Sequence, residues 1–290
     1  MAFKPNRDRA DRAFGPVGFG INTNLLSLNA QRHLAETDEA LRTAFERLSS
    51  GLRINHASDD PAGLAIADRL KRDQRVAAQG IRNANDGISL LSLGDQALGQ
   101  ISDIVARLSE LASESASGTL TNTERTDLQV EFSQLVAEVG RIATTTTFNG
   151  VAVLAGATTI SIQVGLDGTA ASRVDVATVD ATPTALFGGT PLSVATAAGA
   201  QTALGVLTTA VQTVASARAG FGAGESRLLT AIATLRVAAE SYAQAESRIR
   251  DADIAAETAA LTRAQILQSV GTAVLAQANQ QPAFALQLLR

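Results

Sequence analysis

Cysteine is absent from this 290-residue chain, and so is tryptophan; one tyrosine and nine phenylalanines make up the aromatic content. Without cysteine there is no disulfide, no thiolate metal centre and no cysteine nucleophile. The chain is nevertheless 46% hydrophobic, so alanine, leucine, valine and isoleucine supply its apolar surface. That mixture suits long helices packed side by side better than a compact core built on large rings. No charge sign dominates either: 24 basic and 28 acidic residues give a net charge of -4, spread along the chain. A basic stripe is missing, which argues against a nucleic-acid partner. No segment approaches about eighteen consecutive apolar residues, so no membrane span is expected. The start, "MAFKPNRDRADRAFGPVGFG", lacks the apolar core of a cleaved secretory signal, so export would take another route.

What is present is helical periodicity at both ends and a β pattern between them. From Ile21 to Leu52 the residues Leu25, Leu28, Leu41, Phe45 and Leu48 recur mostly at helical steps, and Gly51 stands where a helix C-terminus favours glycine. An aperiodic joint follows. Asp60 then offers an N-cap acceptor, and Pro61 fits the first helical position, where a missing N–H costs nothing. Ala77, Ile81, Ala84, Ile88 and Leu91, and after them Leu98, Ile101, Val105, Leu108 and Ala112, step by threes and fours like a coiled-coil seam. That helix is expected from Pro61 to about Ser115, roughly 80 Å at 1.5 Å per residue. Thr121 and Glu124 have the spacing of a capping box ahead of a stripe at Leu128, Phe132, Leu135, Val139 and Ile142.

Beyond Thr147 the period falls to two. Ile160, Ile162 and Val164, then Val174, Val176 and Val179 after a "GLDG" turn, read as one or two β-hairpins within about 148–180. The segment "ATPTALFGGTP" reads as a loop. Helical rhythm returns at Leu228, Ile232, Leu235, Ala239, Tyr242, Ala245 and Ile249. A second joint interrupts it near Asp251 and Asp253. A last helix is expected from about Glu257 to Gln280, with Leu261, Ala264, Leu267, Gly271, Val274 and Ala278 on one face and Pro282 ending it. The fold class is therefore mainly α, a long antiparallel coiled-coil-like helical rod with a small β-hairpin region. A single amphipathic helix gains most of its stability from packing. The two end helices are thus expected to pair with each other and, through their remaining apolar faces, with other copies.

The stretches "INTNLLSLNAQRHL", "ERLSSGLRINHASDDPAGLAIADRL", "NANDGISLL" and "TFNGVAVL" resemble the N-terminal half of bacterial flagellins, and "SRIRDADIAAETAALTRAQILQSVGTAVLAQANQ" with the ending "LLR" resembles their C-terminal segment. The resemblance covers Ile21 to Asp180 and Ala200 to Arg290. It implies a terminal coiled-coil domain (D0) from residues 21–52 and 256–290 and a rod domain (D1) from residues 53–255. The function it implies is that of a secreted, extracellular structural subunit, polymerising with itself into the flagellar filament for motility. As partners it implies flagellar cap and hook-junction proteins, an export chaperone on the C-terminal helix and the flagellar type III export apparatus. Little room is left between Asp180 and Ala200 for variable outer domains, so the chain resembles a minimal form. Residues 1–20 precede the matched start and are expected to be a disordered extension.

The assembly seam is expected at Leu25, Leu28, Leu41, Phe45 and Leu48 on the first helix and Leu261, Ala264, Leu267, Val274 and Ala278 on the last. Asp60 and Pro61 are expected to cap and start the long helix at the joint. No catalytic residue, cofactor or metal is expected. His33 and His56 form no ligand pattern and read as solvated or packed side chains, and "SDD" at Ser58 to Asp60 reads as a cap rather than a carboxylate pair. In some family members the region of "SDIVARLSELASESAS" is read by Toll-like receptor 5. Arg107, Glu110, Leu111 and Glu131 match that patch, whereas Ser109 and Glu114 change its charge; packing against neighbouring subunits is the competing reading. Thr144 to Thr147, Thr158, Thr159 and Thr169 suit O-glycosylation and exposed strands equally. A hook–filament junction protein and an intracellular helical interaction module are the alternative functions, separable by copy number and by location.

Overall fold

The computed structural model describes residues 23–189 and 191–288, with side chains to residue 281. The expected extension over residues 1–20 lies outside the described residues. Six helices and four short strands follow in order: α1 (Leu25–Ser50), α2 (Pro61–Ala116), α3 (Asn122–Thr145), β1 (Thr147–Phe148), β2 (Val151–Ala152), β3 (Thr159–Gln163), β4 (Arg173–Ala177), α4 (Pro183–Leu186), α5 (Ala197–Arg250) and α6 (Ile254–Leu288). The fold is mainly α, as the periodicity indicates. The chain divides into two compact units, one of residues 1–67 and 247–290 and the other of residues 68–246.

The second unit holds the large core. Leu98, Ile101, Val105 and Leu108 of α2, Phe132 and Val139 of α3, and Leu207, Val214, Phe221 and Leu228 of α5 are all buried in one cluster. The α3 start carries the expected capping box, with Thr121 and Glu124 each satisfying the other's backbone N–H. Where α2 ends, the buried Arg125 guanidinium donates to the carbonyls of Ser115 (2.8 Å) and Ser117 (2.6 Å). A cation at a helix C-terminus meets the negative end of the peptide dipoles as well as the unbonded carbonyls.

Strands β1 and β2 form a hairpin across Asn149 and Gly150, whose φ values of 50° and 79° suit a tight turn of the handedness strands prefer. Strands β3 and β4 pair antiparallel, with Ile160 opposite Val176 and Ile162 opposite Val174. The buried faces of this second hairpin lie against the helices at glycines. A methyl group on Gly87 would sit 2.4 Å from Ile162 Cδ1, and one on Gly80 would sit 2.9 Å from the Val164 carbonyl oxygen. Those glycines are one heptad apart on α2, so a single face of the helix admits the hairpin.

Two boundaries differ from the sequence expectation. The segment from Ala181 to Pro191, expected as a loop, contains α4, which Pro183 opens at its first turn. The last helix begins at Ile254 rather than Glu257, because Asp253 Oδ1 accepts from the N–H groups of Ala255 (2.9 Å) and Ala256 (3.1 Å). It also continues through Pro282 to Leu288 instead of stopping. Proline removes the N–H that would bond the carbonyl four residues earlier, that of Ala278. Here the Asn24 side chain supplies the donor, at 2.7 Å. The orphaned carbonyl is satisfied, and the helix proceeds.

Candidate assembly site

In the first unit α1 packs along α6. The residues buried in this pair are small: Ser27, Ala30 and Ala44 on α1, Ala264 and Ala278 on α6. Alanine at the contact lets two helices approach closely but buries little apolar area. Gly271 extends the small-residue face, with its position 3.4 Å from Leu34 Cδ1 when a Cβ is added. Polar bonds fix the alignment. Asn24 caps α1 by accepting from the Ser27 N–H (3.0 Å) while it donates to Ala278; Ser27 Oγ bonds Asn279 Oδ1 at 2.8 Å. Further along, Gln268 donates to Asp38 at 2.7 Å, and Arg47 faces Glu257 at 3.8 Å.

The large apolar residues point elsewhere. Leu25, Leu26, Leu28 and Phe45 on α1, and Ile266, Leu267, Val270 and Val274 on α6, are each at least half exposed. Of the residues expected as a seam, Leu41, Leu48 and Leu261 are half-buried, Ala264 and Ala278 are buried in the pair, and the rest face outward. The sequence stripe thus divides into an inner alanine face and an outer leucine–valine–phenylalanine face. Ile266 and Val270 join Leu267 and Val274 on that outer face, which is wider than a single stripe of helical steps indicates. Contiguous exposed apolar surface of this kind marks an interaction surface.

The joint is a paired structure rather than a single bend. Gly51 ends α1 in the left-handed region at φ 72°. Leu52 then pairs antiparallel with Asp251, the Arg53 N–H donates to the Arg250 carbonyl (2.6 Å), and the Ala252 N–H donates to the Gly51 carbonyl (3.0 Å). Asp59 accepts from the N–H groups of Asn55 and His56, each at 3.0 Å. These bonds, the His56 one first, hold the Asp59 carboxyl below its ordinary pKa. Asp60 Oδ1 accepts from the Gly63 N–H at 2.8 Å, immediately before Pro61 opens α2. Both joints of the sequence meet here.

Neither histidine is built into a site. His33 faces Glu36 at 3.1 Å and His56 faces Glu46 at 2.6 Å, both on exposed surface. Among the described residues no cluster of three or more metal-ligating side chains occurs, and no helix is long and apolar enough to cross a membrane. On the second unit Arg107 bridges Glu110 (3.0 Å) and Glu131 (2.9 Å). Those two carboxylates, Glu110 first, raise the Arg107 pKa. Leu111 is only 1% exposed and belongs to the core. Three of the four residues of the expected receptor patch therefore share one surface, and the fourth does not.

The bacterial flagellin N-terminal helical region matches residues 21–159, and the bacterial flagellin C-terminal helical region matches residues 204–289. A flagellin of Halalkalibacterium halodurans is 40% identical over 273 residues, 93% of this chain and 99% of that protein. A flagellin of Salmonella typhimurium is 48% identical over 145 residues, which span 50% of this chain but 29% of that longer protein. The crystal structure of Bacillus cereus flagellin is 34% identical and covers 53% of this chain and 88% of that one, with a TM-score of 0.48. The chain belongs to the bacterial flagellin family, the structural subunits of the flagellar filament.

Proposed function

We propose that this chain builds the flagellar filament through the α1–α6 pair, whose outer apolar face is completed only by other copies of the chain. One observation carries the reading. The pair buries alanine and serine internally and leaves nine large apolar side chains at least half exposed among the described residues, Ile254 included. Each such residue has about 1 kcal/mol of burial still to gain, whereas the inner contacts alone set little against the entropy of ordering two helices. The terminal coiled-coil domain of residues 21–52 and 256–290 is the polymerising part, and residues 53–255 form the rod domain. The protein works as a scaffold, not as an enzyme.

The same outer face of α6 suits an export chaperone, which would cover it before assembly. Secretion by the flagellar type III apparatus, and growth between hook-junction and cap proteins, follow from filament membership. For Toll-like receptor 5 the available surface is the Arg107–Glu110–Glu131 network, with Glu114 adding negative charge beside it. Amide exchange tests the main reading. Residues 25–50 and 254–280 exchange fast in dilute monomer and slowly in filaments; slow exchange in dilute monomer would show that the pair needs no partner.

A further inference from the structure

Three places in the chain set an aspartate or asparagine directly before a glycine: Asp86–Gly87, Asn149–Gly150 and Asp167–Gly168. At such a pair the glycine backbone nitrogen can attack the side-chain carbonyl carbon and close a five-membered succinimide. Glycine has no side chain to block the approach, and asparagine is the more labile partner because its amide leaves as ammonia. No other asparagine of the chain precedes a glycine. The fold treats the three pairs differently.

Asp86–Gly87 lies inside α2, where the helical ladder engages the Gly87 N–H and fixes the Asp86 backbone. Gly87 is also buried, with its Cβ position 2.4 Å from Ile162 Cδ1. Asp167–Gly168 is exposed, but its carbonyl carbon is a poor target. One carboxylate oxygen of Asp167 accepts from the Ser172 hydroxyl, from Thr169 Oγ1 (2.7 Å) and from the Thr169 N–H (3.2 Å). The Ser172 bond first, then those of Thr169, hold this carboxyl below its ordinary pKa, and an ionised carboxylate resists attack by an amide nitrogen.

Asn149–Gly150 meets neither obstacle. Both residues are exposed at the tip of the β1–β2 hairpin. Neither the Asn149 side chain nor the Gly150 N–H has a hydrogen-bond partner among the described residues. Beyond the neighbouring residues, no heavy atom lies within 4 Å of a Cβ placed on Gly150. One barrier remains. Asn149 stands in the left-handed region at φ 50°, and ring closure requires its ψ to rotate out of the turn. That rotation breaks little, because β1 and β2 are two residues each and so short a ladder opens locally at small cost.

We propose that Asn149 is a self-modifying site, where the Gly150 nitrogen displaces ammonia and water reopens the ring. The bond from the Gly150 nitrogen to Asn149 Cγ forms as the Cγ–Nδ2 bond breaks. The Gly150 nitrogen gives its proton to solvent, and the departing amide takes one up. Water added at Cγ leaves aspartate; water added at the main-chain carbonyl leaves isoaspartate, with the chain running through the side-chain CH2. Either product replaces a neutral amide with a carboxylate. Isoaspartate also lengthens the main chain by one carbon, which the two-residue turn between Phe148 and Val151 cannot absorb in register. The displacement falls on Phe148, packed against the core, and on Val153 and Leu154, buried just beyond β2. The reaction needs only water and time, so it marks the age of each subunit.

Ageing the purified full-length chain in mildly alkaline buffer tests the inference, with peptide mass spectrometry and enzymatic methylation of isoaspartate as readouts. Acid forms at Asn149 about tenfold or more faster than at any other asparagine, a barrier difference of about 1.4 kcal/mol. Isoaspartate appears there and not at Asp86 or Asp167. The rate rises with pH, because the attacking nitrogen must shed its proton. Asn149→Gly suits the left-handed turn and removes the reaction, so its melt does not drift with age while that of the unaltered chain falls. Freshly prepared Asn149→Asp carries the charge without the extra carbon and melts above the aged chain. Denatured chain in the same buffer reports the reaction free of the fold. An Asn149 that stays intact while denatured chain converts overturns the inference, as does conversion no faster than at the other asparagines. Isoaspartate forming equally fast at Asp86 or Asp167, or equal drift in the Asn149→Gly melt, overturns it too.

Discussion

Leu267→Asp separates folding from assembly. Leu267 lies on the outer face of α6 and is 52% exposed in the single chain. Fully burying a leucine contributes about 1.5–3 kcal/mol, so about 1 kcal/mol remains to be gained when a neighbour covers it. In the free chain an aspartate there stays hydrated, and the cost is a few tenths of a kcal/mol of helix propensity plus the lost half-contact. In a packed helix layer the carboxylate would lose its water without a partner, at about 4 kcal/mol or more. At 1.4 kcal/mol per factor of ten, that raises the critical concentration roughly a thousandfold. Leu267→Ala loses only the remaining burial, so it shifts assembly about fivefold. The assay pairs sedimentation of seeded filaments with a circular-dichroism melt of the monomer. The melt should match the unaltered chain, because the buried cluster of the second unit is untouched. Normal assembly of Leu267→Asp would mean that the outer face of α6 is not an interface between copies.

Asn24→Ala removes an N-cap worth about 1 kcal/mol and leaves the Ala278 carbonyl without a donor, at a further cost of about 1–3 kcal/mol. Pro282→Ala returns the backbone N–H, so in that background only the cap term remains; additive effects in a double-mutant cycle on filament melting would refute the clasp. Asp60→Ala should cost about 1 kcal/mol locally, and Pro61→Gly more, with the monomer still folded. Because a one-residue shift in helix start rotates the following face by about 100°, electron microscopy should find altered curvature or brittle filaments, and unchanged filaments would count against the joint. Gly80→Ala puts a methyl group 2.9 Å from the Val164 carbonyl oxygen, a backbone atom, so the β3–β4 hairpin must lift; a melt unchanged within 0.5 °C would contradict the packing. Asp59 is depressed by the His56 and Asn55 N–H bonds, and Asp95 by its bond to Arg218. A depressed carboxyl contributes fully above its unfolded pKa, and the contribution is lost as pH falls through the lower folded value. Protection of the Asn55 and His56 amides should therefore hold from pH 8 to about 5 and fall below about pH 4; loss already between pH 7 and 5 would contradict the role given to Asp59.

Local chemistry was legible in the chain itself. Asp60–Pro61, the Thr121–Glu124 box, Gly51 and the heptad stripe of α2 act through atoms within one or two turns, so spacing alone fixed where those helices start and stop. The family, too, is written in ordered motifs at both ends. Long-range partners decided the rest. Pro282 reads as a helix stop until Asn24, 254 positions from the orphaned Ala278 carbonyl, supplies the missing donor. Nothing in the helical stripe of α2 marks Gly80 and Gly87; their lack of a side chain acquires a reason only when the β3–β4 hairpin is laid on them. Within the end helices, periodicity marks an apolar stripe but cannot divide it. Alanine faces inward because only a small side chain permits the close approach of α1 and α6, and the leucines, valines and phenylalanine excluded from that contact are left for another molecule.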